Sequence, residues 1–172
     1  QTKKRLIRMA YDQLKLQNQL CFRLYTASRL ITQTYFPMLE KLGLTYPQYL
    51  VLMVLWEEDG QKVMELAHRL NLDSNTMTPL VKRMASEGLV TRVKGKLDAR
   101  ETYVYLTDKA KRLERQAASI PACMLGKVLS DRTSVDDIHL LSAELDALID
   151  TLSEQRAQDK AAAKDKECRY IL

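Results

Sequence analysis

Residues 63–88 read VMELAHRLNLDSNTMTPLVKRMASEG, and their pattern decides the fold. Val63, Leu66, Ala67 and Leu70 recur at the i, i+3, i+4, i+7 spacing of a helix with one buried face. Asn71-Leu72-Asp73 is a short polar break. Met77, Leu80, Val81 and Met84 then repeat the same spacing until Gly88 stops the pattern. Two short amphipathic helices joined by a tight turn predict a helix-turn-helix.

The chain on either side completes this unit. Leu89-Val90-Thr91-Arg92-Val93 and Thr102-Tyr103-Val104-Tyr105-Leu106 are rich in β-branched and aromatic residues and read as strands. The polar stretch Lys94–Glu101 between them reads as a hairpin loop. A basic β-hairpin directly after a helix-turn-helix is the winged variant. Upstream, residues from about Lys3 to Tyr35 contain no Gly or Pro and predict a helix, interrupted by Pro37 and ended by Gly43. Pro47 suits the first turn of a strongly apolar helix running to about Glu58, in which Trp56 is a core residue. Downstream, Thr107-Asp108 can cap a helix to about Leu129, and Ser134 with Asp137 forms a capping box. The following helix carries Ile138, Leu141, Leu145, Leu148 and Leu152, whose spacing alternates between three and four as in a coiled-coil seam.

The expected fold is therefore mainly α: a winged helix-turn-helix with N- and C-terminal helices forming a dimerisation region. The small reading unit offers the long terminal helices little core of its own, so a second copy is their expected partner. The expected organisation is residues 1–46 as N-terminal helices, 47–107 as the winged helix-turn-helix, 108–157 as C-terminal dimerisation helices and 158–172 as a charged tail.

Composition agrees with a helix-rich soluble protein. Of 172 residues, 46% are hydrophobic and 28% charged, with only 5 Gly and 4 Pro. The apolar run Leu50–Trp56 is far too short to span a bilayer, and no secretory signal stands out. The net charge of +5 is compatible with a nucleic-acid partner without requiring one. Cys21, Cys123 and Cys168 are an odd number at wide spacing, which fits neither a disulfide framework nor a zinc pattern. We expect no metal, no cofactor, no membrane contact and a reducing, cytoplasmic setting.

Helical geometry assigns the surface of the second helix. With Met77, Leu80, Val81 and Met84 inward, Asn75, Thr78, Pro79 and Lys82 point outward, flanked by Thr76 and Arg83, with Ser74 at the helix start. Small hydroxyl and amide groups can approach base edges, and Lys82 and Arg83 suit phosphates. An ordinary solvated face would carry more Glu, yet Ser74 to Ala85 contains no acidic residue. Pro79 removes a donor to the carbonyl of Asn75, so local bending is expected there. On the wing, Arg92, Lys94, Lys96 and Arg100 cluster around Gly95, and an Arg on a hairpin tip can enter a narrow minor groove. Asp98 is placed to hold Arg100. In a two-fold dimer the two reading helices meet successive major grooves about 34 Å apart, which predicts double-stranded DNA with an approximate inverted repeat.

Cys21 lies in Asn18-Gln19-Leu20-Cys21-Phe22-Arg23-Leu24-Tyr25. By pattern alone it reads as an inert small hydrophobe rather than as a reactive thiol. Tyr25 is one turn away on the same face. Tyr35 returns to nearly that face, but on one straight helix it would lie about 21 Å from Cys21. It can meet Cys21 only if the chain bends back or a second subunit crosses it. Phenol hydroxyls favour a thiolate, the form that attacks peroxides.

The segments Leu16-Gln17-Asn18-Gln19-Leu20-Cys21-Phe22, Leu44-Thr45-Tyr46-Pro47-Gln48-Tyr49 and Leu72-Asp73-Ser74-Asn75-Thr76-Met77-Thr78-Pro79, with the wing residues Asp98 and Arg100, resemble the OhrR branch of the MarR family. The likeness runs from about Leu14 to Leu152. It implies a homodimeric repressor that senses organic hydroperoxides, with Cys21 as the peroxidatic cysteine. It also implies that Tyr35 and Tyr46 reach Cys21 from the other subunit and that Tyr25 lines the same pocket. Oxidation to sulfenic acid, then a disulfide or other adduct, would move the reading heads off DNA. Some members resolve the sulfenic acid with a second cysteine; Cys123, Cys168 and an external thiol all remain open for that role. The competing readings are a MarR-type repressor released by a small aromatic ligand without cysteine chemistry, and a thiol peroxidase, for which the chain shows no scaffold.

Overall fold

The computed structural model describes residues 11–169, with side chains described for 11–162. The predicted helix before Asp12 lies outside the described residues. The chain divides into two compact units, residues 1–124 and 125–172. In the first, helix α1 (Leu20–Glu40) is followed by α2 (Tyr46–Glu57), a short strand β1 (Gln61–Lys62), α3 (Val63–Arg69) and α4 (Ser74–Ser86). The hairpin β2 (Val90–Lys94) and β3 (Thr102–Leu106) then leads into α5 (Asp108–Ala117) and α6 (Ile120–Val128), within which the first unit ends. The second unit holds the long helix α7 (Val135–Arg169).

Helix α1 starts later than its periodicity suggests. Residues 12–18 form two single 3-10 turns, Asp12–Leu14 and Leu16–Asn18. Side chains explain the departure. Asn18 donates to the Asp12 carbonyl at 2.8 Å, Gln19 to that of Gln13 at 2.6 Å, and Arg23 to those of Gln17 and Gln19. Side-chain bonds of this kind compete with the helical ladder for the same carbonyls. The prolines also differ from expectation. Pro37 lies inside α1 without ending it, and the turn beyond it is anchored by Leu39, which is buried. The helix expected to run unbroken to Leu129 instead stops at Ala117 and restarts at Ile120. That break puts Pro121 in a first turn, where its missing donor leaves no helical bond unmade.

The core gathers on α2, α3, α4 and the hairpin. Val51, Leu52, Leu55, Leu66, Met77, Val81, Met84, Leu89, Val90 and Val104 are buried. Trp56 is partly buried in this core and donates from Nε1 to the Ala110 carbonyl at 3.1 Å, tying α2 to α5. The sheet order is β1-β3-β2, all antiparallel. Strand β1 carries no sequence signal, because two residues cannot show a period. It pairs Gln61 with Val104 and Lys62 with Tyr103. Gly60 makes this approach possible: its φ is +78°, and a Cβ there would lie 2.8 Å from the Tyr105 ring.

In the second unit, the Ser134 N–H donates to Asp137 Oδ2 at 2.8 Å and the Asp137 N–H to Ser134 Oγ at 3.2 Å. The Ser134 N–H, joined by the Ser134 hydroxyl donating to the same oxygen at 2.7 Å, holds the Asp137 carboxyl below its usual range, and the carboxylate favours the positive end of α7. Leu140, Leu141, Ile149 and Leu152 remain exposed on α7.

Candidate nucleic-acid interface and sensor residues

Burial fixes the rotation of α4. Met77, Val81 and Met84 face the core, whereas Asn75, Thr76, Pro79, Lys82 and Arg83 are exposed and Ser74 and Thr78 are half-buried. The helix runs unbroken through Pro79. In the hairpin, Val93 pairs with Tyr103 and Arg92 with Val104. Alternation therefore puts Arg92 and Lys94 on the sheet face that carries buried Val90 and Val104. Their side chains emerge where that face leaves the core, beside α4. The result is a cleft of about 520 Å3 between Thr78 and Lys82 on one wall and Arg92, Lys94 and Arg100 on the other.

At the wing tip, Arg100 donates from Nε to Asp98 Oδ1 at 3.2 Å and from Nη2 to Oδ2 at 3.1 Å. The guanidinium holds the Asp98 carboxyl below the usual carboxylate range. The Arg100 side chain is still 92% exposed, so it is oriented without being used up. Lys96 is exposed on the same loop. Gly95 is sterically required, since a Cβ there would meet the Asp98 carbonyl oxygen at 2.5 Å.

Sequence reasoning missed two charged residues of this cleft, Lys62 and Glu101. Lys62 Nζ lies 2.8 Å from Glu101 Oε1, and the Tyr103 hydroxyl donates to Glu101 Oε2 at 3.2 Å. The pair raises the Lys62 ammonium above its ordinary value and lowers the Glu101 carboxyl. Both are charged at neutral pH, so together they add no net charge. Lys82, Arg92, Lys94 and Arg100 dominate the cleft's field. The Lys62–Glu101 contact joins residues far apart in sequence, and no local pattern announces it.

The cysteine and tyrosines occupy separate places within one chain. Cys21 is exposed at the start of α1, with Leu20, Phe22 and Tyr25 exposed around it. The rings of Tyr35 and Tyr46 meet with centroids 5.0 Å apart, and Tyr49 joins them at 6.0 Å from Tyr35. Tyr49 belongs to the Leu44–Tyr49 motif, but the sequence alone assigns it no role. Burial raises the pKa of Tyr35, Tyr46 and Tyr49, with the neighbouring phenols adding to the effect on Tyr35 and Tyr49. These hydroxyls therefore remain hydrogen-bond donors throughout the neutral range. Cys21 and Tyr35 share one continuous helix, whose rise per residue separates them by about 21 Å.

Cys123 is exposed on α6 and lines a pocket of about 370 Å3 with Met38, Leu42 and Ile120. The side chain of Cys168 lies outside the described residues. No group of residues that could hold a metal ion occurs among the described residues. No described helix is long and apolar enough to cross a membrane.

Comparison with known proteins bears on this architecture directly. Residues 33–116 match the family described as transcriptional regulator SarA/Rot. The chain is 41% identical over 145 residues to the organic hydroperoxide resistance transcriptional regulator of Bacillus subtilis (strain 168), covering 84% of this chain and 97% of that protein. A solved structure of reduced AbfR bound to DNA matches with a TM-score of 0.67 at 35% identity, over 81% of this chain and 96% of that one. AbfR, from Staphylococcus epidermidis, also matches in its disulfide form, with a TM-score of 0.56 at 38% identity over 83% and 94% of the two chains. With the winged helix-turn-helix in place and this identity across nearly all of the Bacillus relative, the chain belongs to the OhrR-type branch of the MarR family of DNA-binding transcription regulators.

Proposed function

We propose that this chain is a homodimeric repressor that holds an approximate inverted repeat and releases it when an organic hydroperoxide oxidises Cys21. The observation that carries this reading is the separation of thiol and phenols on α1. Cys21 opens the helix amid exposed apolar side chains, while the Tyr35–Tyr46 pair lies about four turns away. A second copy crossing α1 brings one subunit's thiol to the other's phenols and covers Leu20, Phe22 and Tyr25. The exposed Leu140, Leu141, Ile149 and Leu152 of α7 give the same dimer a second apolar seam.

The chemistry follows. The phenols of the partner's Tyr35 and the partner's Tyr46 donate to the Cys21 thiolate and stabilise it. The sulfur attacks the terminal peroxide oxygen and the O–O bond breaks. The alkoxide leaves, taking up a proton to become an alcohol, and Cys21 is left as the two-electron-oxidised sulfenic acid. A second thiol, from Cys123, Cys168 or a small external donor, then condenses with it and releases water. The Bacillus relative's name and the reduced and disulfide forms of AbfR support a redox signal.

The reading heads are the α4 face and the wing. Replacing Arg100 with Ala removes one phosphate-directed cation. We expect weaker binding to a mixed-sequence duplex and a salt dependence shallower by about 0.9 in log K against log salt. An unchanged slope would show that Arg100 does not neutralise a phosphate.

A repressor released by a small aromatic ligand has one feature in its favour, a pocket of about 260 Å3 lined by Tyr49, Met53, Trp56 and Pro121. Glu57 and Glu114 also line it, which opposes an aromatic acid. The deciding test adds one equivalent of cumene hydroperoxide to reduced protein, maps each cysteine by peptide mass spectrometry and follows DNA affinity in parallel. Selective oxidation of Cys21 with loss of affinity is expected. Equal, slow oxidation of all three cysteines would falsify the sensor.

A further inference from the structure

We infer that Gln48 is a positioning residue that links the tyrosine cluster to the recognition helix and carries the oxidation signal between them. This rests on the sensor reading above and concerns how that signal travels.

Gln48 is a polar side chain that is only 2% exposed. Both ends of its amide are engaged. Its Oε1 accepts from the Thr45 N–H at 2.8 Å, closing the first turn of α2. Its Nε2 donates to Glu87 Oε2 at 2.5 Å. Glu87 is the C-cap of α4, and its own N–H bonds the Arg83 carbonyl at 3.0 Å. A single side chain thus spans from the start of α2 to the end of the helix that presents Asn75, Thr78 and Lys82.

The opposite side of that first turn carries the phenols. At about 100° per residue, Gln48 points about 200° away from Tyr46, whereas Tyr49 returns to the Tyr46 side. Both tyrosines pack on Tyr35. The first turn of α2 is therefore held between the tyrosine cluster and Glu87. A rearrangement of Tyr35 and Tyr46 on oxidation of the thiol they face must shift this turn. Gln48 is buried and bonded at both ends, so the shift reaches Glu87 instead of being absorbed by a rotamer change. The end of α4 has other anchors as well. Lys109 Nζ donates to the Glu87 carbonyl at 3.0 Å, and the Thr107 hydroxyl to that of Gly88 at 2.8 Å. Cutting the Gln48 link should leave the helix folded and docked while disconnecting it from the phenols.

The test compares wild type with Q48M, E87A and E87Q. E87Q keeps an acceptor for Gln48 but removes the charge. The probe is a duplex selected from a randomised pool by the reduced wild-type protein. Two quantities are read for each variant: the rate of Cys21 oxidation by cumene hydroperoxide, and the ratio of DNA affinities before and after oxidation. We expect an unchanged oxidation rate throughout. The affinity ratio should fall by about tenfold or more in Q48M and E87A, through retained binding by the oxidised protein, and stay near wild type in E87Q. Wild-type ratios in Q48M and E87A would overturn the link alone. A lower ratio caused only by weaker binding of the reduced protein would also overturn it, leaving Gln48 a structural residue. A wild-type protein whose affinity ignores complete Cys21 oxidation would overturn the sensor, and the link with it.

Discussion

Cys21→Ser is expected to bind DNA as tightly as the reduced wild type and to keep that affinity in excess organic hydroperoxide. The hydroxyl replaces the thiol with nearly the same volume at an exposed position, so neither the fold nor the α4 surface should change. What is lost is the proposed nucleophile. A serine hydroxyl has no accessible anion near neutral pH and no sulfur to accept oxygen. The effect is a qualitative loss of response, read by titrating peroxide against DNA occupancy. A normal response in Cys21→Ser would transfer the signal to Cys123, to Cys168 or to a ligand pocket. Tyr46→Phe separates the phenol's role from packing. It keeps the ring against Tyr35 and removes the donor, so Cys21 should oxidise more slowly while DNA binding by the reduced protein persists.

The second large effect is on stability. Met77→Ala should cost about 2–5 kcal/mol, read by denaturant unfolding. Met77 is fully buried on the inner face of α4, among a core that includes Leu66, Val81 and Met84. Truncation removes apolar contacts and leaves a cavity that two helices and a hairpin cannot readily collapse around. Against a total stability of about 5–15 kcal/mol, this is a substantial share. Lys82→Ala is the complementary control. It removes an exposed cation one turn along the same helix, and should leave the unfolding midpoint almost unchanged while weakening DNA binding. If Met77→Ala shifted stability by less than about 1 kcal/mol, the inward face of α4 would be misassigned.

The two variants also show how the sequence could be read. The apolar spacing from Val63 to Met84 reports a buried face directly, since a helix can bury only residues that recur at its own period. That spacing located α3 and α4, and with it the outward Asn75, Pro79 and Lys82. The alternating, β-branched segments around Lys94–Glu101 located the wing for the same reason. Asp98 and Arg100 are near neighbours in the chain, so their pairing was foreseeable from adjacency.

Contacts between distant residues were not foreseeable. The sequence expected Pro37 to interrupt a helix and Pro121 to lie inside one, and the structure has it the other way round. A proline's cost depends on whether surrounding packing compensates a lost backbone bond, and that is a tertiary property. The turns before α1 follow from side chains competing for carbonyls. Strand β1 exists because β3 offers it a ladder. By itself the sequence determined the helix-turn-helix, the wing and the basic outer face, because each is set by periodicity or by near neighbours. Only the tertiary structure decided which phenols cluster, that Lys62 is neutralised by Glu101 and that Gln48 reaches Glu87. Those contacts depend on long-range chain closure, which no local spacing encodes.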